Sequence, residues 1–241
     1  MLRRFAMFAF CLAATTAARA DFTVSAFDNS TVQPGGPRTG NNGQRFLNIE
    51  GSGNGTFASF GVVDFRASQA AGMVDSLSLI LTENNAGFTA PGALSFFVST
   101  NTSTNIDAGT SPLTYQASPA DSTGIGTQLS TLYRLGSGAF TTTGNVMSGQ
   151  VDTYKFALAG ALQAYLTSQV NAGRTIRVVI GAADATVAAT YSGFTNTGTN
   201  TPGPALTVGV PTAAVPEPTS LALLTIGGLA VVGLARSRRH K

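Results

Sequence analysis

The sequence has few of the side chains on which enzyme sites most often depend. Its one cysteine is Cys11, its one histidine is His240, and tryptophan is absent. Residues 21–214 therefore contain no imidazole and no thiol, which excludes Ser-His-Asp and Cys-His nucleophilic sites from that region, and zinc sites with such ligands as well. The same region can form no disulfide, so core packing and hydrogen bonds must stabilise it. We expect no catalytic residue and no enzymatic activity.

Charged residues are also scarce, at 10% of the chain, whereas about a quarter is usual in soluble domains. The formal net charge of +3 misleads, because half of the 14 basic residues lie near the two ends of the chain. Between positions 21 and 214, seven basic residues stand against ten acidic ones. This region is therefore slightly acidic, and the absence of a basic patch argues against a nucleic-acid partner.

The first 20 residues have the three parts of a secretory signal peptide. Two arginines precede an apolar run, residues 5–14, that is too short to cross a bilayer. Ala18 and Ala20 then offer small side chains at the two positions that a signal peptidase reads. We predict a signal helix within residues 1–20 and cleavage after Ala20 by signal peptidase.

The C-terminal segment also has three parts in order. Pro216, Glu217 and Pro218 come first, and residues 219–235 follow without any charge. As a helix, the uncharged stretch would be about 25 Å long, close to the hydrocarbon thickness of a bilayer. A basic cluster ends the chain and should remain in the cytoplasm, because moving several cations across a bilayer is costly. Its arginines are Arg236, Arg238 and Arg239.

This order of proline motif, apolar helix and basic end resembles the PEP-CTERM sorting signal over residues 215–241. The resemblance implies that an exosortase, a membrane-embedded protease or transpeptidase, recognises and processes the tail. It also implies that the protein then reaches the cell surface or the extracellular matrix. A plain membrane anchor behind a proline-containing stalk is the alternative. Both interpretations make residues 219–235 a transmembrane helix, residues 236–241 a cytoplasmic tail and residues 21–214 an exported region.

Between the ends, residues 21–210 read as one β-rich domain, joined to the tail by a linker at 211–218. Turn-forming Pro, Gly and Asn predict a loop from Asp28 to Gly43. One short helix is predicted near residues 161–171, because Leu162, Tyr165, Leu166 and Val170 lie on one helical face. Alternating or continuous apolar runs predict the strands. They cover residues 46–49, 56–65, 76–82, 93–99, 132–135, 139–142, 151–158, 175–180, 187–194 and 205–210.

Many short strands with a single helix favour an all-β fold, a two-sheet antiparallel sandwich of jelly-roll type. A parallel sheet would need a crossover helix between successive strands. The strand order from Phe60 through the strand and helix at 156–170 to Pro204–Val208 is similar to the jelly-roll domains of the DNRLRE and disaggregatase-like group. That resemblance implies the fold alone, since the Arg and Glu residues that name the group have no clear counterpart here.

Acidic residues are the remaining source of chemistry in the domain. A pair of carboxylates could serve a glycoside hydrolase, but no two are spaced so as to imply a shared cleft, and most lie beside turns. We expect no cofactor; Ca²⁺ is the metal that such oxygen ligands would suit, with Asp28-Asn29-Ser30 and Glu83-Asn84-Asn85 as its candidate ligands. The acidic residues are Asp21, Asp28, Glu50, Asp64, Asp75, Glu83, Asp107, Asp121, Asp152 and Asp184.

Three functions remain open on these residues. The first is a non-catalytic surface or matrix protein associated with exopolysaccharide. The second is a jelly-roll module that binds carbohydrate, which would require exposed tyrosines, and the third is a carboxylate-dependent hydrolase. Arg174 and Arg177 bracket an apolar strand and could meet a carboxylate or a phosphate, but we expect both to face solvent. The tyrosines are Tyr115, Tyr133, Tyr154, Tyr165 and Tyr191.

Overall fold

A computed structural model describes residues 20–39, 41–84, 87, 89–107, 113–115, 129, 131–144, 149–196 and 201–211. These residues belong to one compact unit, Arg19–Pro211. A second unit, Met1–Ala18 with Thr212–Lys241, contains most of the predicted signal peptide and the whole predicted sorting tail. It lies outside the described residues.

The described chain is mostly strand, which confirms the predicted all-β class. Its helices are α1 (Asn41–Arg45), a 3₁₀ helix (Ser52–Phe57) and α2 (Gly160–Asn171). Its strands are β1 (Phe22–Gln33), β2 (Gly36–Pro37), β3 (Phe46–Glu50), β4 (Phe60–Arg66), β5 (Ser76–Thr82), β6 (Gly92–Ser99), β7 (Leu132–Phe140), β8 (Val151–Ala157), β9 (Thr175–Ala182), β10 (Ala188–Ser192) and β11 (Ala205–Gly209).

Strand β1 joins the two halves of a large antiparallel sheet, whose order is β7-β6-β9-β4-β1-β11-β5-β8. Its first residues, Phe22 to Ser25, pair with β11, and its later residues pair with β4. A register shift between Ala26 and Asp28 lies at the start of the pairing with β4, and such a bulge bends the strand near the point where it passes from one half to the other. We call β7-β6-β9-β4 with the end of β1 the first arm, and β11-β5-β8 with the start of β1 the second arm.

The two arms face each other across the main hydrophobic core. The ring of Phe96 in the first arm lies 4.5 Å from that of Tyr154 and 5.2 Å from that of Phe156, both in the second arm. Side chains of β4, β6 and β9 share this core with those of β5, β8 and β11. The arrangement is a β-sandwich, as the strand pattern predicts.

The central strands of the first arm, β4, β6 and β9, are buried on both faces, whereas its edge strand β7 is mostly half-buried or exposed. The outer face of this arm carries Val62, Phe97 and Val179 in a separate apolar cluster, which residues Ile106 and Leu113 from the long connection after β6 help to cover. This burial explains why β4 and β9 read as nearly continuous apolar runs rather than alternating ones. The second arm is different, since β5 and β8 alternate between buried and more exposed residues.

A small sheet of β3 and β10 completes the layer opposite the first arm. Leu47 and Ile49 of β3 belong to the main core, and a side chain at Gly61 in β4 would meet Leu47 at 2.7 Å. Single backbone bridges connect the small sheet to the end of β5, between Glu83 and Tyr191, and to the start of β6, between Ala90 and Ala188.

The predicted loop from Asp28 to Gly43 is wrong over its first part. Residues 28–33 complete β1, and its register pairs Asp28 with Asp64 and Val32 with Phe60. Local polar composition favours a loop, but β4 supplies ladder partners that the local sequence does not reveal. Among the predicted turn residues, Gly36 has a φ of 99°, a conformation that glycine adopts without strain.

Two other strand predictions need correction. The predicted strand at 56–65 begins at Phe60, because Ser52–Phe57 form the 3₁₀ helix. The two strands predicted at 132–135 and 139–142 are one strand, Leu132–Phe140. Gly136 and Gly138 suggest a break, yet both serve packing. A Cβ on Gly138 would lie 2.4 Å from Tyr154 Cδ1, and one on Gly136 would lie 3.1 Å from Phe156 Cδ1.

The predicted helix near 161–171 is confirmed as α2. Leu162, Leu166 and Val170 are its buried residues, as their spacing predicts. Gly173 ends it with a φ of 60°, the left-handed position that glycine commonly takes after a helix. In the part of the chain that the structure describes, no helix combines the length and the apolarity that a membrane span requires.

Candidate functional site

Arg177 and Asp64 form a buried ion pair on the outer face of the first arm. Arg177 donates from Nε to Asp64 Oδ1 at 2.8 Å and from Nη2 to Asp64 Oδ2 at 2.7 Å. Its Nη1 donates to the Asn101 carbonyl at 2.8 Å, and Arg177 is only 2% exposed. The expectation that Arg177 faces solvent is wrong, because a bidentate carboxylate holds it inside. Arg174 is exposed, as expected.

Asp28 lies on the neighbouring strand β1, opposite Asp64, and adds a second carboxyl group beside the ion pair. Burial, followed by the charges of Asp107 and Asp64, raises the pKa of Asp28 to about 7. Asp28 is thus a strand residue rather than a turn residue. Asn29 beside it is occupied by protein contacts, since its Nδ2 donates to the Gly43 carbonyl at 3.1 Å and its Oδ1 accepts the Phe194 N–H at 2.7 Å.

Glu50 is a third buried carboxylate, in the small sheet. Asn48 Nδ2 donates to Glu50 Oε1 at 3.4 Å and to Thr190 Oγ1 at 2.9 Å. Burial raises the pKa of Glu50 to about 7, while the Asn48 hydrogen bond and the Arg38 charge oppose the shift. Arg38 Nη1 donates to Asn48 Oδ1 at 2.6 Å. Asn48 therefore links the Arg38 guanidinium to the Glu50 carboxyl group.

A pocket of about 530 Å³ opens beside Arg38. It lies along the turn between β1 and β2, and Thr56 of the 3₁₀ helix forms part of its wall. The pocket offers hydroxyl and amide groups, one guanidinium and two proline rings, which suits a polar ligand of small or extended shape. Its lining residues are Gln33, Pro34, Gly35, Gly36, Pro37, Arg38, Thr39 and Thr56.

Glu83 and Asp152 meet at the opposite side of the small sheet, where Glu83 follows β5 and Asp152 lies in β8. The spacing of the acids in the sequence does not indicate this pair, in which Asp152 is close enough to Glu83 to accept a hydrogen bond from it. A glycosidase needs its two carboxyl groups about 5 to 10 Å apart in an open cleft, whereas these two are within hydrogen-bonding reach of each other and Glu83 is completely buried.

The tyrosines are occupied by packing. Tyr154 and Tyr191 are buried in the main core. Tyr133 and Tyr165 are half-buried against the same core, with ring centroids 5.7 Å apart, and Tyr115 packs against the outer cluster. None of the five therefore forms the exposed aromatic platform that the carbohydrate-module hypothesis requires.

For the calcium hypothesis, the described ranges contain no group of three or more acidic, His or Cys residues placed to share a metal ion. Asn85 and Asp121 lie outside the described residues. Ca²⁺ binding therefore stays an untested prediction.

The predicted sorting residues Pro216, Glu217 and Pro218, the basic cluster and Ala18 all lie outside the described residues. Ala20, the residue before the predicted cleavage site, is described and exposed, and its N–H donates to the Val210 carbonyl at 2.9 Å. Phe22 pairs with Val208. The two ends of the domain, next to the two predicted processing segments, thus lie side by side.

Comparison with protein families decides what the tail is. Residues 214–239 match the PEP-CTERM protein-sorting motif. The chain carries a PEP-CTERM sorting signal. This motif marks an exported protein that is directed to the cell envelope or surface and processed by exosortase, a membrane enzyme. A comparison with curated proteins finds no match.

The PEP-CTERM motif covers the tail predicted from sequence, so the identity of that signal is confirmed. The clusters of the β-domain were missed. Strand pairing places Asp152 opposite Leu81. Leu81 precedes Glu83 by two residues, so this pairing brings Asp152 near Glu83. No spacing in the sequence indicates the pairing. The pocket depends on the position of the 3₁₀ helix beside the β1–β2 turn, which also has no sequence signal.

Proposed function

We propose that this protein is a non-catalytic component of the cell surface or extracellular matrix, and that its β-domain associates with exopolysaccharide. The PEP-CTERM motif at residues 214–239 carries the proposal, since it directs the chain to the compartment where such polymers lie. Residues 21–214 have no histidine or cysteine, and the close carboxyl pairs of the described domain, Glu83–Asp152 and Asp28–Asp107, are within hydrogen-bonding reach rather than separated as a glycosidase requires. Both observations favour binding over catalysis.

The pocket beside Arg38 is our candidate contact for the polymer. A guanidinium with adjacent hydroxyl and amide groups is suited to a sugar that carries a carboxylate, because such groups form charge-assisted hydrogen bonds. The described domain lacks an exposed tyrosine platform, so polar contacts must supply recognition. An acidic polysaccharide is therefore a better fit to this proposal than a neutral one.

Export is tested separately from binding. Fractionation of cells with and without the exosortase should show the processed protein at the surface or in the matrix only when the exosortase is present. Retention of the protein in the cytoplasm of exosortase-positive cells would contradict the proposal at its first step.

Binding is tested with the purified protein and the acidic exopolysaccharide of the producing cells, measured by co-sedimentation. Thr39→Glu adds a negative charge on an exposed residue of the pocket and leaves the Arg38–Asn48 hydrogen bond in place. We expect about tenfold weaker binding for this variant, as one displaced charge-assisted contact is worth roughly 1.5 kcal/mol or more. Arg66→Ala is the matched control, because Arg66 is an exposed arginine that stacks on Phe27 away from the pocket. Equal loss in both variants would show that the pocket is not the contact.

A further inference from the structure

The pair formed by Glu83 and Asp152 lies where three elements meet, and nothing in the sorting function uses it. The Glu83 N–H donates to the Gln150 carbonyl at 2.7 Å, and the Gly149 N–H donates to the Glu83 carbonyl at 3.0 Å. Glu83 also forms the backbone bridge to Tyr191 in β10. Backbone contacts on both sides hold the main chain of the residue, and its side chain is completely buried.

Two of the four carboxyl oxygens of this pair have a clear donor. Thr142 Oγ1 donates to Glu83 Oε1 at 2.7 Å. The Tyr191 hydroxyl donates to Asp152 Oδ2 at 2.9 Å and lies 2.8 Å from the Tyr154 hydroxyl. Glu83 Oε2 is buried and has no donor among the described residues. A charged oxygen in this position would be left without compensation, which is costly.

No positive charge compensates the pair within the described chain. The charged or titratable groups that face Glu83 are Asp152 on β8, Tyr154 on the same strand and Tyr191 on β10. The contacts from the segment between β7 and β8, Thr142 and Gln150, are uncharged. A completely buried carboxylate and a half-buried one beside it cannot both ionise easily without a cation.

We propose that Glu83 is a protonated carboxylic acid in the native protein, that its Oε2 hydrogen is donated to Asp152, and that this one proton holds β10 against β5 and β8. With the proton in place, every polar atom of the cluster has a partner. Thr142 donates to Glu83, Glu83 donates to Asp152, and Tyr191 donates to Asp152 while it accepts from Tyr154.

A metal ion is the competing occupant, and the coordination chemistry disfavours it. Ca²⁺ takes six to eight oxygen ligands, whereas this enclosed site offers two carboxyl groups, one of which already accepts a tyrosine hydrogen bond. A proton needs only the one short contact that the geometry provides.

Because Glu83 holds this proton, the stability of the contact between the small sheet and the large sheet depends on pH. Burial first, and then Asp152, raise the pKa of Glu83, while the Thr142 hydrogen bond opposes the shift. A raised pKa in the folded state means that the stabilisation is complete at acid pH, below the pKa of the unfolded chain. It is lost as pH rises through the pKa of the folded state.

The test compares melting temperatures of the full-length chain and Glu83→Gln from about pH 5 to about pH 9. The glutamine keeps one donor toward Asp152 and one acceptor for Thr142, and it cannot ionise. We expect the melting temperature of the wild type to fall by several degrees more than that of Glu83→Gln across this range. Asp21→Asn, at an exposed carboxyl, is the control and should follow the wild type. A difference between wild type and Glu83→Gln that is independent of pH would overturn the proposal.

A second measurement needs no stable Glu83 variant. The chain has three glutamates, Glu50, Glu83 and Glu217, so ¹³C-glutamate labelling yields three side-chain carboxyl resonances, which Glu50→Gln and Glu217→Gln help to assign. We expect the Glu83 carbonyl carbon to have the shift of a protonated acid at about pH 5 to 6, where an ordinary glutamate is ionised. An ionised Glu83 in this range would refute the proposal. Calcium that stabilises the wild type but not Glu83→Gln at alkaline pH would refute it as well, because a cation would then be the occupant.

Discussion

The two arms of the sandwich bury the same kinds of apolar residue in different ways. The central strands of the first arm, β4, β6 and β9, are covered on both faces, by the second arm and the small sheet on one side and by the connection after β6 on the other. The second arm has one core face and one face with Thr23, Thr207 and Lys155. A polar residue in the first arm must therefore find a partner inside the protein, whereas one on the outer face of the second arm can use water. The difference predicts where substitutions are costly.

The largest effect is expected at the buried ion pair of the first arm. Arg177→Ala should lower the free energy of unfolding by about 3 to 5 kcal/mol, because it leaves Asp64 buried and unpaired. Chemical denaturation of the two proteins measures this difference. The double variant Asp64→Leu with Arg177→Met should recover most of the loss, since well-packed apolar residues often replace a buried pair at little cost.

Arg174→Ala is the control for that change. Arg174 precedes the same strand but is exposed, and its removal should alter the free energy of unfolding by no more than about 0.5 kcal/mol. Equal destabilisation by the two alanine variants would remove the distinction between buried and exposed polar residues on which the comparison depends.

A smaller effect is expected where the two arms touch. Gly138→Ala would place a Cβ 2.4 Å from Tyr154 Cδ1 and 3.3 Å from Phe96 Cε2, so strands or rings must shift. We expect a loss of about 1 to 3 kcal/mol, the usual cost of overpacking, measured by thermal unfolding. Gly35→Ala, which meets no atom within 4 Å, should be close to neutral. A neutral Gly138→Ala would mean that the arms are not packed as closely as the ring contacts indicate.

The stability of the small sheet, which lies against the core face of the first arm, should depend on pH. Because burial raises the pKa of Glu50 from 4.5 to about 7, the folded protein holds a proton that the unfolded chain releases. Its stabilising contribution is complete below about pH 4.5 and is lost as pH rises through about 7. Glu50→Gln should therefore reduce the fall in melting temperature over that interval by a few degrees. If the melting temperature of this variant depended on pH as that of the wild type does, the raised pKa of Glu50 would be contradicted.

The smallest effect is expected on the solvent face of the second arm. Thr23 and Thr207 share a hydrogen bond of 2.7 Å between their exposed hydroxyl groups. Thr23→Val should change the free energy of unfolding by no more than about 0.5 kcal/mol, because water can replace the lost partner. A loss as large as that of Gly138→Ala would show that this face is not free to use water.

The second arm is also the part of the domain that sequence reasoning describes best. Strand β5 has the predicted bounds, and its alternating Leu77, Leu79 and Leu81 are the buried residues, as predicted. Helix α2 is similarly clear from its apolar spacing. In the first arm, Arg177 of β9 was wrongly expected to face solvent, because burial on both faces of this strand erases the alternation that distinguishes an inward from an outward residue.

The sequence by itself determined the PEP-CTERM motif, the all-β class and the absence of histidine and cysteine from the domain. These features depend on residue type and local order, which can be read along the chain. Only the tertiary structure decided that Asp64 faces Arg177 and that Glu83 faces Asp152. Strand register brings such residues together across long sequence separations, and register is set by the sum of many packing contacts rather than by any local signal.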